Sequence, residues 1–217
     1  SVMVDLDEAH GMICGKVGRF DMHFKTLLQV LGPKTPDTHV SSVCALLLPN
    51  GPLFLADAFL TVDPSVEEVI ATTEASMEFV RQFGIKPKVA LLSHSNFGTS
   101  NEPSAVKMRD TLALLQKTAP WLEVDGEMHG DAALSPAIRE RVNPDCSLSG
   151  EANLLVMPNL DAANITYKLM KELNEALSIG PILMGLSEPI HVLQLGASVD
   201  EIVNMAAVAV IDAQSKN

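Results

Sequence analysis

Lys88-Val89-Ala90-Leu91-Leu92-Ser93-His94-Ser95-Asn96-Phe97-Gly98-Thr99-Ser100 is the stretch on which the fold turns. Residues 89–92 are apolar without alternation, the pattern of a strand buried on both faces between layers of helices. The small polar run behind them leads into 103–117, where helical periodicity takes over. Leu154-Leu155-Val156-Met157 reads in the same way. Working outward, strands are expected at 11–14, 40–48, 53–57, 88–93, 122–126, 153–157 and 179–183, and helices at 20–31, 66–83, 103–117, 135–142, 162–177 and 199–214. Such alternation predicts an α/β fold with mostly parallel sheet. The exception is 43–48, Pro49-Asn50-Gly51-Pro52 and 53–56, which reads as an antiparallel hairpin around an Asn-Gly turn.

Two helix starts, Ser65-Val66-Glu67-Glu68 and Ser198-Val199-Asp200-Glu201, fit a capping box, in which Ser and Glu satisfy orphan backbone N–H groups reciprocally. The last helix carries Val199, Ile202, Val203, Met205 to Val210 and Ile211 with almost no polar face. A helix apolar all round is expected to be buried on all sides, either within its own domain or in a symmetric interface.

The 217 residues carry 15 Lys plus Arg against 27 Asp plus Glu, a formal charge of −12. That balance argues against a general nucleic-acid or anionic-membrane binder, because phosphate neutralisation needs a basic face. Cys14, Cys44 and Cys146 form no Cys-x-x-Cys pair and point to a reducing compartment. No apolar run approaches a membrane span and the start has no secretory pattern, so a soluble, cytoplasmic protein is expected.

Three segments could carry chemistry. Ser93 to Ser100 offers small hydroxyls and backbone N–H groups ahead of a helix, either an anion site or an ordinary polar loop; it lacks the Gly-Lys-Ser/Thr ending of a Walker A motif. Asp125-Gly126-Glu127-Met128-His129-Gly130-Asp131 could do acid–base work or hold a metal, and Asp131 could equally cap the next helix. The six histidines are scattered without a His-Glu-x-x-His motif, so no metal site is expected. Gly15-Lys16-Val17-Gly18-Arg19, with Lys25 and Lys34, is the densest basic stretch, suited to a phosphate-bearing ligand or to plain solvated surface. There is no G-x-S-x-G elbow and no spacing that singles out a catalytic triad.

Taken in order, these segments resemble the phosphate acetyltransferase family over essentially the whole chain. Ile179-Gly180-Pro181-Ile182-Leu183-Met184-Gly185, with Pro189, is similar to its IGPxLxG…KP segment. Pro158-Asn159-Leu160-Asp161-Ala162-Ala163-Asn164-Ile165-Thr166-Tyr167-Lys168-Leu169 is similar to its P-x-L-N-x-x-N-x-x-Y-K-L stretch. Asp125-Gly126-Glu127 with Asp131-Ala132-Ala133 resembles DGExxxDAA, and Leu91 to Ser95 with Gly98 resembles LLSxST-x-G.

The resemblance implies two α/β subdomains with a cleft between them, the first incomplete at its N-terminus: 1–60 plus 187–217, and 61–186. Active members transfer acetyl between CoA and phosphate, with an arginine stabilising charge on the thioester carbonyl. At that point the chain departs. The family's N-D-L-S-R-G reads His191-Val192-Leu193-Gln194-Leu195-Gly196, so the serine is Gln194 and the arginine Leu195. The basic T-x-R-P-x-L-Q motif places Lys25 where an arginine is usual, and Glu172 stands for another arginine. Leucine cannot donate a hydrogen bond to an oxyanion, and lysine lacks the bidentate fork.

Leu195 to Ala207 closely resembles the corresponding end of large bacterial NADP-dependent malic enzymes, which carry a transferase-like domain after the catalytic one. That resemblance implies a non-catalytic regulatory and oligomerisation domain, with no cofactor of its own and acetyl-CoA as effector. NADP and the divalent metal belong to the upstream catalytic domain of the parent, and the partners are that domain, the missing N-terminal part and further copies of the chain. Its candidate ligand contacts are Arg19, Lys25, Ser93, Ser95, Gln194 and Leu195, with no catalytic residue. An active phosphate acetyltransferase and a scaffold without ligand are the alternatives.

Overall fold

A computed structural model describes residues 1–215, so the last two residues of the expected 187–217 segment lie outside the described residues. Eight strands and eight helices follow in chain order: α1 (Val2–Asp5), β1 (Met12–Gly15), α2 (Phe20–Val30), β2 (Ser41–Leu48), β3 (Gly51–Ala56), α3 (Val66–Gln82), β4 (Lys88–Leu92), α4 (Pro103–Thr118), β5 (Glu123–Met128), α5 (Gly130–Leu134), α6 (Pro136–Val142), β6 (Leu154–Val156), α7 (Leu160–Leu173), β7 (Leu177–Met184), β8 (Ile190–Leu193) and α8 (Val199–Ser215). The fold is α/β, as expected.

Six strands form the main sheet in the order β5-β4-β6-β3-β2-β7. Strands β3, β6, β4 and β5 pair in parallel, whereas β2 runs antiparallel to both β3 and β7. The hairpin is present, with Pro49 and Asn50 linking Leu48 to Gly51. Alternate residues of β2 feed opposite cores. Val43 and Ala45 pack with α3, α4 and α8 on one face, and Cys44 and Leu46 with α5 and α7 on the other. The near-continuous apolar strands therefore have a helical layer on each side, which is what their sequence required.

A second, two-stranded parallel sheet joins β1 to β8, and Val4, Leu27, Ile190 and Val192 build its core. Gly15 ends β1 at φ +96°, and a Cβ there would press into the β8 backbone at Leu193. The sheets divide the chain differently from the expected 1–60 boundary. β2 and β3 belong to the six-stranded sheet, because β3 pairs with β6 and β2 with β7. Three elements, α1, α5 and β8, were not expected. Conversely, α7 stops at Leu173 instead of reaching 177, since Glu175 adopts φ +47° and Leu177 already opens β7.

Both capping boxes form. Ser65 Oγ accepts from Glu68 N at 3.2 Å while Glu68 accepts from Ser65 N at 2.8 Å, and Ser198 and Glu201 repeat the same distances. Ser65→Ala is expected to cost about 1 kcal/mol in a urea titration, and a loss below about 0.3 kcal/mol would show that the cap is idle.

Within its own domain the last helix is buried on one face only. Met205, Val208 and Ala209 of α8 are buried, but Val199, Val203 and Val210 are 75%, 61% and 56% exposed. One face lies on β1, β7 and β8; the other has no layer above it within the described residues.

Candidate functional site

Strand β4 leads through α4 toward β5 on one side, whereas its neighbour β6 leads through α7 toward β7 on the other. Chain connections thus part at the carboxyl ends of β4 and β6, the kind of place where open α/β sheets form crevices. A cavity of about 420 Å³ lies there, lined by Ser93, His94, Asn159, Thr166 and Met170 among others.

The loop behind β4 closes on a carboxylate of its own chain. Glu127 of β5 is fully buried, and its Oε1 accepts from Ser95 Oγ at 2.6 Å, Gly98 N at 2.9 Å and Arg109 Nη1 at 2.9 Å. Burial works to raise this carboxyl, but the hydrogen bonds prevail and hold it below the usual glutamate range. Ser95 Oγ also accepts from Ser100 N at 2.9 Å. The anion that these donors hold is Glu127, and Ser95 is enclosed with it, while Ser93 borders the cavity.

The rest of the acidic segment is likewise engaged. Asp125 accepts from Gly126 N at 2.8 Å and Ser147 N at 2.6 Å; Asp131 accepts from Ala132 N at 2.8 Å; His129 Nε2 lies 2.8 Å from His94 O. Among the described residues no three His, Cys, Asp or Glu side chains are grouped to hold a metal.

Gln194 and Leu195 lie elsewhere, across α7. Phe20 at the start of α2, Phe59, Tyr167 and Gln194 form a chain of contacts between the two sheets. Ring centroids are 5.4 Å apart for Phe20–Phe59 and 5.7 Å for Phe59–Tyr167, and Gln194 Nε2 donates to Tyr167 Oη at 3.3 Å. Arg19 caps this start of α2, exposed and paired with Asp21 at 2.9 Å, and Lys25 is exposed farther along the same helix. Arg19 and the Gln194–Leu195 turn therefore border one junction, with Lys25 on the same helix as Arg19. The cavity that Ser93 lines includes neither α2 nor that turn.

Sequence reasoning missed the lysines of α7. Lys168 Nζ donates to Gln194 Oε1 and stands 5.4 Å and 5.3 Å from the ring centres of Phe59 and Tyr167. Burial, then the charge of Lys171, lowers the pKa of Lys168. Lys171 pairs with Glu201 at 2.5 Å, and Lys16 Nζ donates to Ala197 O. Burial works to raise Glu201, yet Lys171 and Ser198 hold it below its ordinary value. The signal available in sequence was the spacing of Lys168 and Lys171, which puts both on one side of a helix.

The turn itself carries no cation. Gln194 is engaged by Lys168, Tyr167 and Gly180 O at 3.4 Å, and Leu195 is 69% exposed to solvent. Glu201 is absorbed by its capping box and its lysine.

The sequence profile of the family described as phosphate acetyl/butaryl transferase matches residues 1–210. The NADP-dependent malic enzyme of Escherichia coli K12 is 49% identical over 217 residues, covering 100% of this chain and 29% of its own length. A phosphate acetyltransferase of Paracoccus denitrificans is 38% identical, covering 96% of this chain and 68% of its own. A phosphotransacetylase crystal structure from Streptococcus pyogenes superposes with a TM-score of 0.90 at 30% identity, over 98% of this chain and 65% of that one. The chain thus spans less than a third of the malic enzymes it matches and about two thirds of these two transferases. Among the described residues no helix is long and apolar enough to cross a membrane.

Proposed function

The chain belongs to the phosphate acetyl/butaryl transferase family, and from that premise we propose that it is a transferase-like domain that no longer transfers acetyl groups. Its role is to bind acetyl-CoA at the junction of α2, α7 and the Gln194–Leu195 turn and to regulate and assemble a larger malic enzyme. In this reading malate oxidation to pyruvate, with NADP and a divalent metal, belongs to the rest of that enzyme, which is cytoplasmic and a homo-oligomer.

One observation carries the loss of transfer: Leu195 offers solvent an apolar side chain where a donor to the thioester oxygen is needed, and Gln194 beside it is engaged with Lys168, Tyr167 and Gly180. Loss of one oxyanion donor typically lowers rate by about 100- to 1000-fold. Regulation requires that acetyl-CoA bind one state of the parent more tightly than another, and the junction between the two sheets is where such a difference would be felt. Arg19 and Lys25 are the cations on that side for the phosphates of CoA, and Ser93 would take part only in a ligand that also reaches the cavity beyond α7.

Two measurements test the reading. Phosphate-dependent acetyl transfer is expected at background, and turnover within about tenfold of an active transferase would overturn the non-catalytic assignment. Calorimetric titration of acetyl-CoA into the full-length protein is expected to saturate, more weakly in Lys25→Ala; no saturation at millimolar ligand would remove the effector. A scaffold without ligand is the second reading, favoured by the exposed Val199, Val203 and Val210 of α8. It requires that oligomer size and parent activity ignore acetyl-CoA.

A further inference from the structure

We propose that Lys168 is a self-acylation site, whose ε-amine takes the acyl group of an acyl-CoA thioester held at the junction of α2, α7 and the Gln194–Leu195 turn. The inference rests on the acyl-CoA reading above and adds to it a covalent outcome at one residue.

The surroundings of the lysines decide which of them can act as a nucleophile. Lys86, Lys107 and Lys171 are each engaged by a carboxylate within 2.7 Å. Lys168 instead has a neutral partner, Gln194 Oε1, and its Nζ lies near the ring faces of Phe59 and Tyr167, with Lys171 on the same helix. Desolvation beside a second cation is a standard way to make a lysine reactive, because both effects favour the free amine. Burial and Lys171 act on Lys168 in that direction, while Glu201 from α8 and Cys44 from β2 act the other way and less strongly. Lys168 nevertheless remains an exposed residue, so a donor can reach it.

The tether fits the chemistry. A neutral Nζ still donates one N–H to Gln194 Oε1, which fixes its position and leaves the lone pair free. Attack on the thioester carbonyl forms the C–N bond and breaks the C–S bond; CoA leaves as thiolate and takes up the proton the nitrogen loses. The products are an Nε-acyl lysine and free CoA, with no further co-reactant. Acylation removes the charge over Phe59 and Tyr167 and weakens the link from α7 to the turn before α8.

The test compares each lysine of the full-length protein by peptide mass spectrometry, after incubation with acetyl-CoA and, separately, with trace acetic anhydride, which needs no binding site. Lys168 is expected to acetylate at least about tenfold faster than exposed Lys25 under acetyl-CoA. Lys168→Arg should bring incorporation down to that of the remaining lysines. If acetyl-CoA binds by calorimetry but Lys168 is no faster than Lys25, the inference is overturned and the effector reading stands. Fast labelling by anhydride with neither binding of nor labelling by acetyl-CoA overturns both.

Discussion

Glu127→Ala is expected to lower the stability of this domain by about 3–5 kcal/mol, the range for removing one member of a buried charged arrangement. Three donors end on a single oxygen of this fully buried side chain, from Ser95, Gly98 and Arg109. Without it the Arg109 guanidinium keeps only Ser100 O and Asn101 Oδ1, and the hydroxyl of Ser95, itself buried, loses its acceptor. Glu127→Gln retains an acceptor of the same shape and should lose less, about 1.5–3 kcal/mol. Chemical denaturation of both variants measures the difference, and a Glu127→Ala loss below about 1 kcal/mol would show that the network is replaceable by water.

The same carboxylate fixes a pH dependence. Its folded-state pKa lies below the unfolded value, so the unfolded chain binds the proton more readily. The contribution is complete above an unfolded value of about 4.3 and disappears as pH falls through the folded pKa. Wild type should therefore lose stability more steeply than Glu127→Gln on acidification below about pH 4. Parallel acid profiles would remove Glu127 as the cause.

Arg139→Ala is the second large effect, about 2–4 kcal/mol. Arg139 of α6 is buried, and its guanidinium donates to carbonyls, not to a carboxylate: Ala132 O at 3.0 Å, Ala133 O at 3.3 Å, Leu148 O at 3.1 Å and Gly150 O at 2.5 Å. It ties the end of α5 to the segment before β6, where the chain has no strand or helix of its own. Each buried acceptor left unpaired costs about 1–3 kcal/mol, and water entering the vacated space recovers part of the total. Arg139→Met, which fills the space but donates nothing, should lose nearly as much. Hydrogen exchange should show the 143–153 segment opening in both variants; protection equal to wild type would show that packing, not the carbonyl contacts, holds it.

Local pattern carried most of the fold. The apolar runs of β4 and β6, the hairpin and both capping boxes could be read because each is decided within a few neighbouring residues. The missing pieces were decided at a distance. Strand β8 has four residues, and only its pairing with β1 makes it a strand. The length of α7 is set by the backbone of Glu175, and the exposed stripe of α8 by how many layers lie around it, which periodicity cannot report. Of the site, the Gln194–Leu195 departure was legible because it is a change of residue type. Lys168 stood in a quoted motif without drawing notice, since its position opposite Gln194 depends on how α7 lies against β8. Ser95 illustrates the reverse: its segment could be read as an anion site or as a polar loop, and the carboxylate it meets belongs to a strand some thirty residues later.

The small sheet also orders events in time. A ribosome delivers β1 well before its partner β8, which emerges only after the whole six-stranded sheet has been made. Edge strand β7, which covers β2, arrives just before it. During synthesis the helices and parallel strands between Val66 and Leu173 have all their sequence neighbours at hand, while β1 waits unpaired until Ile190–Leu193 is made. The contact between the two sheets, and with it the turn that carries Gln194 and Leu195, forms only once β8 has followed the six-stranded sheet.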